Sequence, residues 1–205
     1  MVESFDTALN DLELMIIEEL KKEITWPPDY LPSQGIIPYI KRLKGKTDDD
    51  VVGIEVGTGR GESTYHILSE CKNVKKIYTI DPFSEYSDWM KTFDSEYMKK
   101  IEEIARKNLS DFGDRVEIIK EKSEDALKRF QDYQVDFIII DGSQNAKIAY
   151  DDLSGYHNKL RVGGLFIGTN YNLNTIREAM FNFRNNSKAR LPIKLTSNNV
   201  WFWYK

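Results

Sequence analysis

The chain has 205 residues, 40% of them hydrophobic and 30% charged, with a formal net charge of −4. That length supplies one substantial core and falls short of two ordinary domains, and the acidic balance argues against a general nucleic-acid binder. A single cysteine, Cys71, excludes an internal disulfide and fits a reducing, cytoplasmic setting, while the acidic start Val2–Asp6 is no signal peptide and no apolar run reaches bilayer length. The basic clusters Lys41–Lys46 and Arg184–Lys194 read as solvated faces, and Cys71 as a packed helical thiol.

Leu9, Leu12, Ile16 and Leu20 recur at helical spacing over residues 5–24, and Trp26-Pro27-Pro28 stops that helix. A short helix is expected at 38–43, and 45–50 is a polar link. Strands then follow at 51–56, 76–80, 116–120, 135–140 and 164–168, each rich in Val, Ile or Phe. They alternate with helices at 61–72, 95–110, 124–132, 145–160 and 173–185. Such alternation implies a parallel sheet covered on both faces, a doubly wound α/β fold. Ile193–Thr196 and Val200–Tyr204 flank Ser197-Asn198-Asn199, the pattern of an antiparallel C-terminal hairpin, which brings the sheet to seven strands. The whole, 1–205, reads as one domain: an N-terminal helical cover (1–46) and a cofactor-binding α/β core (47–205).

The first strand runs into Gly57-Thr58-Gly59-Arg60-Gly61-Glu62-Ser63-Thr64, a loop with alternate glycines that opens a helix. Backbone without β-carbons lets a ligand come close. The helix start offers unpaired N–H groups and the positive end of its dipole to an anionic group. A dinucleotide fingerprint would place its third glycine where Glu62 stands, so a nicotinamide dehydrogenase is the weakest reading.

Asp81, followed by Pro82, ends the second strand, where a carboxylate can accept both hydroxyls of a ribose; a turn aspartate is the alternative. Asp141 emerges from the apolar run Phe137–Ile140, placed to hold an ammonium group or orient an acceptor; a turn aspartate before Gly142 is the alternative. Ser123 reads equally as the N-cap of the next helix. Phe83, Tyr86, Trp89, Phe93 and Tyr97 offer surface for an acceptor pocket, a core or a dimer face. Trp201-Phe202-Trp203-Tyr204 alternates as a strand able to bury against a partner chain, and His66 and His157 fall within helices as structural residues.

Glu55-x-Gly57-x-Gly59-x-Gly61 resembles motif I of the class I S-adenosylmethionine-dependent methyltransferases. With Thr79-Ile80-Asp81-Pro82, Ile140-Asp141-Gly142, Asp152-Leu153 and Leu160–Gly164, it resembles the group that includes macrocin-type and catechol-type O-methyltransferases, over about residues 50–172. The resemblance implies a Rossmann-like seven-stranded sheet and S-adenosyl-L-methionine as cofactor, with S-adenosyl-L-homocysteine as product. It implies cofactor contacts from Gly57, Thr58, Gly59, Arg60, Asp81 and Pro82. Ser63 takes the place that meets the methionine carboxylate, Glu55 that of the acid ordering the loop and ammonium end, and Ser123 and Glu124 those beside adenine. A homodimer is a family-level expectation.

The chain also departs from that pattern. Gln144 stands where relatives carry a histidine or a lysine base, and Thr169-Asn170, followed by Tyr171, stands where they carry Asp-Asp or Asp-Asn. One carboxylate, Asp141, and one amide, Asn170, make a poor Mg²⁺ site, so metal independence is expected. Positioning supplies about 7–11 kcal/mol of a two-reactant barrier, against about 10²–10⁴-fold from a general base, so methyl transfer survives loss of the family base. The expected reaction is methylation of a small molecule, on oxygen, with Asp141, Gln144, Asn170 and Tyr171 steering the acceptor and Asp141 taking the proton. The rivals are a catalytically inactive S-adenosylmethionine-binding protein and an RNA or protein methyltransferase.

Overall fold

The computed structural model describes residues 32–45, 50–87, 92–187, 192–196 and 198–205. The chain divides into two units, Met1–Tyr30 and Leu31–Lys205. The expected helix over 5–24 lies outside the described residues, and the second unit holds the α/β core.

Its central strands are β1 (Val51–Val56), β2 (Val74–Ile80), β5 (Val116–Ile119), β6 (Val135–Ile140) and β7 (Leu160–Gly168). All six residues of β6 are buried, as a parallel strand covered on both faces requires. The seven-stranded sheet has the order β5-β2-β1-β6-β7-β9-β8, with β8 (Lys194–Leu195) and β9 (Trp201–Tyr204) forming the expected hairpin. β9 runs antiparallel to both neighbours and every other pairing in this sheet is parallel.

Alternation along the strands splits the core in two. Ile54, Val56, Ile138, Ile140 and Phe166 pack on one face with α5 (Ala146–Lys159) and α6 (Asn174–Asn186). Val51, Phe137, Ile139, Leu165 and Ile167 pack on the other with α1 (Ile37–Ile40) and α2 (Glu62–Glu70). Trp201, Phe202 and Trp203 are buried within this chain's own sheet, Trp201 and Trp203 on the first face and Phe202 on the second. Only Tyr204 of that aromatic run is exposed, so its burial needs no partner chain.

The helix expected at 38–43 ends at Ile40, and three further elements differ from the sequence reading. Strand β7 starts at Leu160 rather than 164, because Gly163 and Gly164, which look like a turn, pair with Lys205: Gly163 N donates to Lys205 O at 2.8 Å and Lys205 N to Gly164 O at 3.0 Å. The helix expected over 124–132 shrinks to α4 (Ser123–Ala126) and a 3-10 turn (Leu127–Arg129). It stops there because Phe130 takes extended geometry and buries its ring, 5.3 Å edge-on to Tyr78. Between β2 and α3 (Ser95–Leu109) a small antiparallel pair forms from β3 (Tyr86–Ser87) and β4 (Thr92–Phe93), with the Tyr86 and Phe93 rings stacked at 4.7 Å. Asp94 caps α3 by accepting the Tyr97 N–H at 2.8 Å.

Cys71 is buried at the end of α2, and burial pushes its thiol up to about 11, as suits a packing residue. His157 is buried among Phe166, Phe183 and Trp203, at ring distances of 5.5, 5.2 and 6.3 Å.

Candidate active site

Strand register brings the chemistry to one edge. Val56 lies opposite Ile80 on one side and Ile140 on the other, and Ile140 lies opposite Gly168. Gly57, Asp81, Asp141 and Thr169 therefore leave the sheet side by side. The ladders run one residue past the strands: Gly57 N to Ile80 O and Asp141 N to Val56 O, both 2.8 Å, and Thr169 N to Ile140 O, 3.2 Å. Strand order reverses between β1 and β6, and ligands of open α/β sheets bind in the crevice at such a point, beyond the carboxyl ends of the strands.

The loop after β1 is shaped for close approach. Gly57 has a φ of +98°, and a β-carbon there would stand 2.1 Å from the Asp141 carbonyl oxygen. Gly59, by contrast, has open space where its β-carbon would point, with nothing within 4 Å. Asp81 ties this loop to β2: Gly59 N donates to its Oδ2 at 3.1 Å and Phe83 N to its Oδ1 at 2.9 Å. Burial raises the Asp81 pKa, opposed by those N–H donors. Thr58 is buried with its hydroxyl 2.8 Å from that of Thr79. Arg60 pairs with Glu62 at 2.7 Å, Ser63 sits part-buried on the first turn of α2, and Pro82 is part-buried after Asp81.

Glu55 lies beneath the loop, 2% exposed. The hydroxyls of Thr64 and Thr79 both donate to its Oε2, the latter at 3.0 Å. Burial, with the negative charge of Asp141 adding to it, drives its pKa up to about 8 against those two hydrogen bonds. Glu55 thus joins β1, β2 and α2 under the glycine loop.

Asp141 accepts the Thr169 hydroxyl on Oδ1, and the Asn170 amide approaches the same oxygen at 3.4 Å. Burial pushes its pKa up to about 6, the Thr169 hydrogen bond opposing. Asn170 holds a φ of +57°, a left-handed conformation asparagine tolerates. Trp201 supports the turn from below, its indole N–H donating to Thr169 O at 3.2 Å. Asp141, Thr169, Asn170, Ala149, Leu153 and Trp201 are among the residues around a small cavity of about 10 Å³, room for about one water. Tyr171 packs partly on the core, with the Arg177 guanidinium 5.9 Å from its ring centre and donating to its carbonyl at 2.8 Å. Gln144 is exposed in the loop before α5. Of the four residues expected to steer an acceptor, Asp141 and Asn170 meet, while Gln144 and Tyr171 stand outside that contact.

Ser123 opens α4 as its first helical residue; the cap position belongs to Lys122, which makes no side-chain cap. Glu124 is exposed beside it. Tyr156 donates its hydroxyl to Ser123 O at 2.8 Å, and Asp152 is buried, its pKa raised by burial with the Ser123 side chain opposing.

Sequence reasoning did not assign Thr64, Thr79, Asp152 or Trp201 to the site. Two of them carried a signal: Thr79 is a polar residue inside an apolar strand, and Asp152 interrupts the inward stripe Ala149, Leu153, Tyr156 of α5. Of the aromatic segment, Trp89 lies outside the described residues; Phe83 is buried, and Tyr86, Phe93 and Tyr97 contact one another, with Phe93 and Tyr97 rings 5.2 Å apart.

The same fold is found in known proteins. The O-methyltransferase from Bacillus cereus, solved with S-adenosylhomocysteine, superposes with a TM-score of 0.61 at 18% identity, covering 98% of this chain and 91% of that one. The O-methyltransferase NovP superposes with a TM-score of 0.60 at 17% identity, covering 84% and 76%. At these identities the likeness is one of fold. No curated protein matches the sequence. The model of one family, described as a methyltransferase domain, matches residues 54–171, more than half of the chain and the whole span from Glu55 to Tyr171. The chain therefore belongs to the methyltransferase-domain family, within the class I S-adenosylmethionine-dependent methyltransferases.

Proposed function

We propose that the protein transfers a methyl group from S-adenosylmethionine to an oxygen atom of a small-molecule acceptor. The observation that carries this reading is the convergence of the Gly57–Arg60 loop, Asp81 and Asp141 at one edge of the sheet, beside the strand-order reversal. The open backbone at Gly59 admits the cofactor, and the carboxylates of Asp81 and Asp141 suit a ribose diol and a cationic amino-acid end. When bound, the cofactor supplies an electrophilic methyl group on a sulfonium.

In this reading Gly57, Thr58, Gly59 and Arg60 hold the amino-acid end together with Ser63, while Glu55 fixes the loop from below. Asp81 and Pro82 border the ribose, and Ser123 and Glu124 border the adenine. Asp141 accepts the proton of the acceptor hydroxyl: its pKa of about 6 lies close to neutrality, where a general base works best. Thr169 and Asn170 orient that carboxylate through Oδ1. Gln144 and Tyr171, outside that contact, shape the acceptor's entry.

We also read the reaction as metal-independent. The donor set is one carboxylate already engaged by a threonine hydroxyl and one amide, which suits octahedral Mg²⁺ poorly. Calorimetry is expected to give no micromolar Mg²⁺ or Mn²⁺ binding; binding that Asp141→Ala removes would reverse this reading. A homodimer is checked by light scattering.

The functional test is a titration with S-adenosylhomocysteine, NAD as control, followed by transfer of labelled methyl to a panel of hydroxylated small molecules. Micromolar binding and label on an acceptor oxygen support the proposal. Binding without transfer to any acceptor points to an inactive cofactor-binding protein, and label on RNA or protein to a different acceptor class.

A further inference from the structure

The inner face of α5 carries Ala149, Asp152, Leu153, Tyr156 and His157. Asp152 is the carboxylate of that stripe, only 5% exposed, and a buried carboxylate persists where polar partners hold it. Its partners lie at the cofactor edge and not on its own helix. Tyr156, one helical turn on, donates to the Ser123 carbonyl at 2.8 Å, and the Ser123 side chain favours the charged form of the carboxylate. The Ser123 carbonyl is thus held by α5. On its other flank, Asp152 Oδ2 lies 3.7 Å from where a β-carbon on Gly142 would stand, just past the exit of β6. One helix face therefore meets the turn after β5 and the turn after β6 together.

The arrangement is costly for mere packing. Burial drives the Asp152 pKa up to about 6, with Ser123 opposing and the neighbouring charges of Asp151 and Glu124 adding to the rise. Tyr156 is fully buried with its hydroxyl committed to the same turn. A leucine at 152 would fill this space without such a penalty. The polar face does what an apolar one cannot: Tyr156 gives the Ser123 carbonyl a directional partner, with the Asp152 carboxylate beside it.

We propose that Asp152 and Tyr156 are positioning residues for the adenine side of the cofactor site, holding the Ser123 turn in register with the β6 exit. The inference rests on the reading that Ser123 and Glu124 border the adenine. Neither residue need touch the cofactor; their effect passes through Ser123.

The test is S-adenosylhomocysteine affinity combined with hydrogen exchange of the full-length protein. In the parent protein the ligand is expected to slow amide exchange over both 57–61 and 122–126. In Asp152→Ala, affinity falls about tenfold, protection over 122–126 is lost and protection over 57–61 stays; Asp152→Asn, which keeps an acceptor for Ser123, restores most of both. Tyr156→Phe removes one hydroxyl and no packing, and gives the same pattern more weakly, so it carries the test if Asp152→Ala does not fold. Loss or retention of protection at both segments together would overturn the inference, since a purely structural role acts on both alike. If the parent protein binds the ligand with no protection over 122–126, the adenine assignment itself is wrong and the inference falls with it. If it does not bind at all, the proposed function fails first, and the two failures are told apart.

Discussion

A β-carbon placed on Gly57 would stand 2.1 Å from the carbonyl oxygen of Asp141. The two residues close the gap between β1 and β6 at the point where the Asp141 N–H bonds Val56 O at 2.8 Å. The position is doubly restricted, because φ is +98° there. Gly57→Ala is expected to destabilise the protein by more than about 3 kcal/mol through backbone strain and displacement of the β6 exit. Thermal unfolding of the two proteins checks this. Gly59→Ala meets open space at its β-carbon but also takes a positive φ, +50°, so it should cost less stability than Gly57→Ala while weakening cofactor binding.

Asp81 accepts N–H groups from both Gly59 and Phe83, so it shapes the loop and faces the crevice at once. Losing a carboxylate that binds two hydroxyls costs about 1.5–3 kcal/mol per hydrogen bond. Asp81→Ala is expected to weaken S-adenosylhomocysteine binding by at least about 100-fold. Asp81→Asn keeps one acceptor and loses less. Calorimetry with circular dichroism separates binding loss from unfolding, and undiminished affinity in Asp81→Ala would remove the ribose assignment.

The core strands and the site edge were legible in the sequence because apolar runs and the glycine loop are local signals. Each of the five core strands expected is present, and Asp81 and Asp141 stand where their strands end. What stayed hidden depends on distant partners. Nothing near Gly163-Gly164 says that Lys205 will pair with it and convert a turn signal into strand. The three threonines that manage buried acids, Thr64 and Thr79 at Glu55 and Thr169 at Asp141, come from α2, β2 and the end of β7. Their hydroxyls meet the acids only once the sheet is assembled. Thr169 in particular reads in sequence as a lost metal ligand, and in the structure it is a hydrogen-bond donor to the remaining carboxylate.

Glu55 makes the ligand-free protein lose stability as pH rises from acid to about 8. Its folded pKa of about 8 exceeds the ordinary 4.5, so the folded state holds the proton longer than the unfolded chain. The stability contributed is fully present below about 4.5 and is lost as pH rises through about 8. Unfolding midpoints of the ligand-free protein should fall across that window, and Glu55→Gln should flatten the decline. A cationic ligand end beside Glu55 favours its charged form, so stabilisation by the cofactor should grow over the same range. An unchanged pH profile in Glu55→Gln would remove this assignment.

His157 acts at the other end of the pH scale. Burial lowers its pKa to about 4, helped by the positive charge of Lys205, and its Nε2 has no hydrogen-bond partner. A depressed folded pKa gives stability that is complete above the ordinary 6.5 and lost as pH falls through about 4. His157→Phe keeps an aromatic ring among Phe166, Phe183 and Trp203 and removes the titrating group. Denaturant midpoints between pH 4 and 6.5 should then become less steep for the variant, while the two proteins agree closely near pH 8.

Thr169 gives the sharpest test of Asp141 as the proton acceptor. The Thr169 hydroxyl donates to Oδ1 and holds the Asp141 pKa below the level burial alone would impose. A hydrogen bond to a charged group is worth about 1.5–3 kcal/mol. Thr169→Val keeps the shape, removes the donor and should raise the midpoint of the acid limb of kcat/KM, which reports Asp141 in the free protein. The drop in kcat/KM is then expected to be about tenfold at pH 6 and only slight at pH 8.5, where Asp141 is ionised in both proteins. Cofactor affinity at pH 8.5 should change little, so the defect appears in kcat/KM and not in cofactor binding. A uniform loss across pH would instead mean that Thr169 serves the geometry of the turn above Trp201, and that Asp141 does not take the proton.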